Sequence, residues 1–203
     1  MYKRQEYGPA LHWRGAAVWA ASASAPSGPP VFQHAAALLQ VLAQGQIQAG
    51  LLPVLVGTPP ASAAQQRLAE RAAPLLAALP DPAAARQLIG LGPGLTPAGD
   101  DLLVGLMLVF YYVNHVMLNP LRAIIAEAAT TRLSRAMLGW AAQGLASEPV
   151  LLLLRDLFSL PEPQAFARLP QVLAHGATSG ADLVAGIGLG LGLLPIHEGH
   201  EGD

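Results

Sequence analysis

The stretch from Gly90 to Asp101 (GLGPGLTPAGDD) restricts the fold of this chain more than any other part of the sequence. It contains four glycines and two prolines, and it ends in two adjacent aspartates directly ahead of an apolar, helix-like run. Glycine admits backbone conformations closed to other residues, whereas proline fixes φ and removes a hydrogen-bond donor. The stretch therefore predicts a defined loop that delivers Asp100 and Asp101 to a helix N-terminus, where free N–H groups favour an anion or a polarised carbonyl group.

Start and stop signals predict helices along most of the remaining chain. Ser62 and Gln65 match a capping box, and Asp81 followed by Pro82 is typical of an N-cap with proline in the first helical position. No alternating strand pattern appears in the last three quarters of the sequence. We therefore predict an all-α multi-helix bundle of about seven helices. Residues 11–21 (LHWRGAAVWAA) fit a single residual strand ahead of it.

The predicted organisation has three parts. Residues 1–30 form an N-terminal segment that ends in a linker rich in proline, glycine and serine. Residues 31–195 form the helical domain with the glycine-rich motifs. Residues 196–203 form a flexible tail, because they are charged and contain two glycines. His197, Glu198 and His200 have metal-like spacing, but they lie in this tail and no metal site is predicted there.

Composition excludes several classes of function. Charged residues make up 12% of the chain and the net charge is −2, so nucleic acid would meet no basic stripe. The longest apolar run, residues 102–118, is shorter than the ~20 residues of a membrane span and contains Asn114 and His115. A buried helix is therefore favoured over a membrane helix. The absence of cysteine excludes disulfides and thiolate chemistry and is compatible with the cytoplasm.

The junction of glycine, aspartate and apolar helix occurs twice. Residues 99–106 (GDDLLVGL) align with residues 180–187 (GADLVAGI), so that Gly, Asp, Leu and Gly recur at the same offsets. Thr178 and Ser179 stand directly ahead of the second copy. A chance match is the alternative, because the chain is rich in glycine, leucine and alanine. A true pseudo-repeat predicts two glycine-rich loop-to-helix junctions, each with an aspartate in the first turn and small residues for close helix packing.

The candidate catalytic residues are the aspartates of these junctions, Asp100, Asp101 and Asp182. A purely structural role is the alternative, since an acid in the first turn of a helix gains ~0.3–1 kcal/mol from the helix dipole. Successive helical residues point about 100° apart, so Asp100 and Asp101 are expected to serve different partners. The loop ahead of them matches neither a dinucleotide fingerprint, because no strand precedes it, nor a Walker A loop, because Gly-Lys-Ser/Thr is absent.

A second polar cluster is predicted inside a single helix over residues 119–143. Thr131, Ser134 and Arg135 share one face there and could meet a ligand together, with a solvent-facing stripe as the alternative. Arg132 lies next to them. These four residues are candidates for binding a substrate or an anion. The other candidates are glycines of the loop, hydroxyl residues and a glycine of the two junctions, and a histidine ahead of a C-cap glycine. The full set is Gly92, Gly94, Thr96, Gly99, Thr131, Arg132, Ser134, Arg135, His175, Thr178, Ser179 and Gly180.

Three segments carry a resemblance to a known family. They are residues 90–105 (GLGPGLTPAGDDLLVG), 130–144 (TTRLSRAMLGWAAQG) and 175–186 (HGATSGADLVAG). In order and content they resemble the AllH-like subunit of bacterial oxamate carbamoyltransferase. The resemblance covers roughly residues 32–194. Family members are typically longer at the N-terminus, so residues 1–30 are expected to be the remnant of a larger region.

The resemblance implies a part in allantoin catabolism. The enzyme transfers a carbamoyl group between oxalurate and phosphate, giving oxamate and carbamoyl phosphate, and it contains other subunits as partners. Such a transfer needs an anion cradle, a partner for the carbamoyl NH₂ and donors for the developing oxyanion. Loop N–H groups and junction hydroxyls could bind the anion, and Arg132 or Arg135 could neutralise it. Asp100 or Asp101 could accept from the NH₂ or hold Mg²⁺, the one cofactor considered.

Two other functions remain alternatives at this stage. The chain could be a non-catalytic interaction subunit that docks other components through apolar surface, or a small-anion-binding protein. Substitution of Asp101 separates these classes, because a scaffold would keep its activity.

Overall fold

The structure, a computed structural model, describes residues 34–45 and 49–194, and this part of the chain is all-α without a strand. The predicted fold class is confirmed. The predicted strand at residues 11–21 and the tail at residues 196–203 lie outside the described residues.

Ten α-helices occur within the described ranges, where about seven were predicted. A 3-10 turn at Gln164–Phe166 lies between the eighth and the ninth. The helices are α1 His34–Gln44, α2 Leu52–Leu55, α3 Ala63–Ala78, α4 Pro82–Leu88, α5 Ala98–Tyr112, α6 Leu118–Ile125, α7 Arg132–Ala141, α8 Glu148–Ser159, α9 Leu169–Leu173 and α10 Ser179–Gly192.

The single helix predicted over residues 119–143 is wrong, because two helices, α6 and α7, occupy this stretch. Thr131 is the N-cap of α7, and its hydroxyl accepts a hydrogen bond from the backbone N–H of Ser134 at 3.1 Å. The polar residues from 130 to 135 therefore mark a helix start rather than a face inside a longer helix.

Helix α5 forms the centre of the core, as the apolar run predicted. All of its residues except Tyr111 are buried. Helix α5 ends at Tyr112, inside the apolar run, because Asn114 adopts φ 53° and a new helix begins at Leu118. None of the helices in the described residues is long and apolar enough to cross a membrane.

The central contact of the fold joins α5 and α10, the two helices that carry the pseudo-repeat. A side chain at Gly105 would overlap the carbonyl oxygen of Leu183, and one at Gly186 would overlap the carbonyl oxygen of Leu102. In the sequence alignment Gly105 corresponds to Gly186, and Leu102 corresponds to Leu183. The contact of Gly105 with Leu183 is thus equivalent to the contact of Gly186 with Leu102. Because the packing is reciprocal, α5 and α10 cross about an approximate two-fold axis.

The elements around this crossing follow the same two-fold relation. In the first half, α3 leads to the short helix α4 and then into α5; in the second, α8 leads to the short helix α9 and then into α10. Gly99 packs against the backbone of Leu88 at the end of α4, and Gly180 packs against Val172 in α9. Helix α1 packs on α10, while α7 packs on α5.

Candidate functional site

Asp100 is a buried carboxylate with both oxygens hydrogen-bonded. The backbone N–H of Gly90 donates to Oδ1 at 2.8 Å, and the hydroxyl of Thr130 donates to Oδ2. These bonds tie the turn after α4 to the segment ahead of α7. Asp100 therefore holds the glycine-rich loop in place, and it is not among the residues that line the cavity at Asp101.

Asp101, the next residue, lines an open cavity and is also buried. Its Oδ2 atom has no hydrogen-bond partner among the described residues. The hydroxyls of Thr96 and Ser179 lie 2.9 Å apart, one from each glycine junction. Burial raises the pKa of Asp101 to about 6, because hydrogen bonds from Ser179 and Thr96 lower it by less, and the nearby Asp100 charge adds to the rise.

Asp182, the counterpart of Asp101 in the second repeat, is partnered by the chain itself. The backbone N–H groups of Leu51 and Leu52, at the start of α2, donate to its Oδ1 at 2.6 and 3.2 Å. Its Oδ2 is buried without a partner. Burial raises the pKa of Asp182 to about 7; the two N–H donors and Thr178 oppose the rise, and the Asp101 charge adds to it.

The cavity above Asp101 has a volume of about 640 Å³. Its walls are mainly apolar, and Leu133 and Trp140 are 47% and 51% exposed, so it opens to solvent between α7 and the second junction. The polar lining is Thr96, Asp101, Ser147, His175 and Ser179. The rest of the lining is Val104, Leu133, Met137, Trp140, Leu145, Ala146, Val150, Val172, Gly176, Gly180 and Leu183.

The predicted arginines do not reach this cavity. Arg135 donates to the backbone carbonyl of Ala128 at 2.7 Å, and Arg132 lies exposed at the start of α7. None of the residues lining the cavity, all within the described part of the chain, is an arginine or a lysine. An anionic group bound here would therefore find hydroxyls and the imidazole of His175 but no arginine or lysine among these residues.

The remaining predicted residues are structural neighbours of the cavity rather than its lining. Gly92 and Gly94 shape the loop with positive φ, and Gly99 packs on α4. The hydroxyl of Thr131 donates to the carbonyl of Leu95 at 2.6 Å, which fixes the loop on α7. Ser134 is buried with its hydroxyl unpartnered.

The sequence analysis missed the apolar wall. Leu133, Met137 and Trp140 follow one another at i, i+4 and i+7 on α7, which is the spacing of a single helix face. This stripe was present in the sequence, but the attention to Thr131, Ser134 and Arg135 favoured the polar side of the same helix. Ser147 is the N-cap of α8, as the sequence predicts for a helix that begins there, but nothing in the sequence indicates that it lines the cavity.

No group of three or more histidines, aspartates or glutamates within residues 34–45 and 49–194 could hold a metal ion. A Mg²⁺ ion at Asp101 would need its other oxygen ligands from substrate, water or another subunit, because Mg²⁺ requires octahedral coordination.

The family model described as oxamate carbamoyltransferase subunit AllH matches residues 88–191. This span begins at the end of α4, ends within α10 and contains both glycine junctions together with the whole cavity lining. No solved structure matches the chain.

Proposed function

The chain belongs to the AllH family of oxamate carbamoyltransferase subunits, and from this premise we propose that its cavity forms part of the site of carbamoyl transfer. The reaction moves the carbamoyl group of oxalurate to phosphate, with oxamate as the leaving group and carbamoyl phosphate as the product. Other subunits of the enzyme contribute the rest of the site.

The unpartnered Oδ2 of Asp101 is the observation that carries this proposal. A buried acceptor without a donor costs roughly 1–3 kcal/mol, and more when it is charged. A carbamoyl NH₂ offers two N–H donors. Oδ2 is enclosed by protein, so the proposal requires that substrate binding uncovers this oxygen, which then accepts one of the donors and recovers the cost. The hydroxyls of Thr96 and Ser179 flank the carboxylate and are hydrogen-bonded to each other, so one of their two protons is left for other acceptors. We propose that this proton turns from Asp101 to the carbamoyl oxygen as negative charge develops on it.

The anionic parts of the substrates are assigned to another subunit. Phosphate and the oxalyl carboxylate require strong donors, of which arginine is the usual one. Arg132 and Arg135 lie away from the cavity lining, so we expect the cation that completes the site to come from a partner chain.

Asp101→Asn in the reconstituted enzyme tests the proposal. The amide keeps the size of the side chain but loses the negative acceptor, and we expect kcat/KM for carbamoyl phosphate formation to fall about 100-fold or more while the subunits still assemble. The matched control is Asp81→Asn, because Asp81 is an exposed N-cap of α4 and asparagine caps equally well. A wild-type rate in Asp101→Asn would refute the catalytic role.

The pH profile gives a second readout of the same role. The ionised carboxylate is the acceptor, and the pKa of Asp101 is raised to about 6. We therefore expect kcat/KM to rise with pH through about 6 and then level off, and a profile flat between pH 5 and 7 would contradict this assignment.

An interaction subunit without catalytic residues is the second candidate. It is favoured by the half-exposed Leu133 and Trp140 at the mouth of the cavity, since large apolar side chains grouped at a surface commonly mark a docking site. This function predicts full activity in Asp101→Asn and loss of assembly when the apolar residues are changed.

A further inference from the structure

The equivalent aspartates of the two halves of the pseudo-repeat, Asp182 and Asp101, have different surroundings. In one half, α2 (Leu52–Leu55, sequence LPVL) lies beside Asp182 and supplies both donors and apolar contacts: Leu51 and Leu52 donate their N–H groups, and Leu51, Leu52 and Pro53 are buried. In the other half, Asp101 faces the open cavity.

The length of one linking segment explains this difference. Residues 45–62 link α1 to α3 and contain α2, whereas the shorter segment 142–147 links α7 to α8 and contains no helix. Because α1 packs on α10 and α7 packs on α5, residues 49–62 of the longer link and the whole shorter link occupy corresponding places under the two-fold relation. Leu145, Ala146 and Ser147 of the shorter link line the cavity. The cavity is thus the space that α2 fills beside Asp182.

We propose that an apolar helical turn of another carbamoyltransferase subunit enters this cavity, in the position beside Asp101 that α2 occupies beside Asp182. Its contact residues are the apolar wall of the cavity, centred on Leu133, Met137 and Trp140. The segment expected to bind is short and rich in leucine, valine, isoleucine or proline, as α2 is.

The size and chemistry of the cavity support a protein segment as the occupant. At about 640 Å³ it is as large as pockets that enclose a whole drug-sized ligand (~300–1,000 Å³), so oxalurate, which is a smaller molecule, leaves part of the cavity unfilled. Most of the lining is apolar, so water in the remaining space gains few hydrogen bonds. Burying half-exposed Leu133 and Trp140 under an apolar partner gains more free energy than filling the same space with water.

The inference does not depend on a catalytic Asp101, but the two proposals fit together. Beside Asp182, one segment supplies both the N–H donors and the apolar filling. Beside Asp101, the substrate supplies the N–H donor and the partner subunit supplies the filling, which also excludes water from the carboxylate. The carbamoyl site is then complete only in the assembled enzyme.

Binding of the purified partner subunits to Trp140→Asp and Leu133→Asp tests the inference. A carboxylate in the apolar wall opposes docking, and we expect the Kd for the partner subunits to rise at least tenfold in each variant. Since both side chains are about half exposed, the thermal unfolding temperature should change little. Val116→Asp is the matched control, because Val116 is 79% exposed and does not line the cavity; its Kd should stay within about twofold of wild type.

A photo-crosslinker, p-benzoylphenylalanine in place of Trp140, identifies the occupant in the reconstituted enzyme. A crosslink to an apolar peptide of another subunit supports the inference. A crosslink between two copies of this chain, a crosslink to residues 1–33 of the same chain, or a wild-type Kd in Trp140→Asp overturns it. Asp101→Asn separates the two proposals: if it assembles and stays active, only the catalytic role fails.

Discussion

Gly105→Ala is expected to destabilise the protein, although alanine is the better helix former. Gly105 lies in the middle of α5, where replacing glycine by alanine in isolation gains up to about 1 kcal/mol. Against this, the new Cβ would overlap the carbonyl oxygen of Leu183 and lie 2.8 Å from the backbone nitrogen of Ile187. The outcome therefore depends on whether α5 and α10 can move apart.

The cost of this overlap can be worked out from the contact. Overpacking a core with extra methylene groups costs about 1–3 kcal/mol when side chains can adjust. Here the overlapped atoms belong to the backbone of α10, which no rotamer change can move, so we place the cost at or above about 3 kcal/mol. After the helix-propensity gain the net loss is about 2 kcal/mol or more. For a domain of this size each kcal/mol corresponds to about 2–4 °C, so Tm should fall by at least about 4–8 °C.

Thermal unfolding followed by circular dichroism measures the effect, with Gly139→Ala as the matched control. Gly139 lies in α7, and a Cβ there would meet no heavy atom within 4 Å. The variant Gly139→Ala should therefore gain up to about 1 kcal/mol of stability, and its Tm should rise by about 2–4 °C. A Tm for Gly105→Ala equal to or above wild type would refute the close crossing of α5 and α10, and with it the two-fold relation.

Two further predictions concern buried charge. The pKa of Asp182 is raised from 3.8 to about 7, so the folded state binds this proton more tightly and the stability of wild type falls as pH rises from about 4 to about 7. Relative to wild type, Asp182→Asn should therefore be more stable at pH 8 than at pH 5 in urea unfolding, and an equal difference at both pH values would contradict the shift. Asp156→Ala removes the buried partner of Arg168, whose Nε lies 2.9 Å from Oδ2, and should cost about 1–3 kcal/mol in the same assay. Breaking the exposed pair of Arg86 and Glu127 with Glu127→Ala should cost less than about 1 kcal/mol, and equal losses would contradict the role of burial.

Local signals in the sequence predicted much of the fold. Ser62 caps α3 by accepting from the N–H of Gln65, and Asp81 caps α4, as predicted. The reciprocal half of the predicted capping box is not formed, since the side chain of Gln65 donates to the carbonyl of Gly50 at 2.7 Å. The break between α6 and α7 differs from the single helix predicted over residues 119–143, because Thr131 is an N-cap and not part of a ligand-binding face within a helix. The four-residue α2 was also missed, since a single turn depends on tertiary contacts for its stability.

The candidate site was less predictable, because its geometry depends on contacts between distant segments. The sequence indicates that Asp100 and Asp101 point in different directions, but not which one faces a cavity. That choice depends on Thr130, thirty positions away, which donates to Asp100 and leaves Asp101 to the cavity. The pairing of Thr96 with Ser179 likewise follows from the crossing of α5 and α10, which no local pattern encodes.

The two-fold relation provides an internal comparison for Asp101. If an aspartate at this position only stabilised its own helix, both copies would be expected to be satisfied by the surrounding chain. Each carboxylate has one buried oxygen without a partner among the described residues. Asp182 has in addition two backbone donors and an apolar cover, whereas Asp101 has two hydroxyl neighbours and lines an open cavity. Since burial raises the pKa of both carboxyls, each is costly to keep ionised at neutral pH. At Asp182 the fold offsets part of this cost with α2. At Asp101 the described residues offset part of it with the hydroxyls of Thr96 and Ser179, and the proposal assigns the remaining contacts to the substrate and a partner subunit.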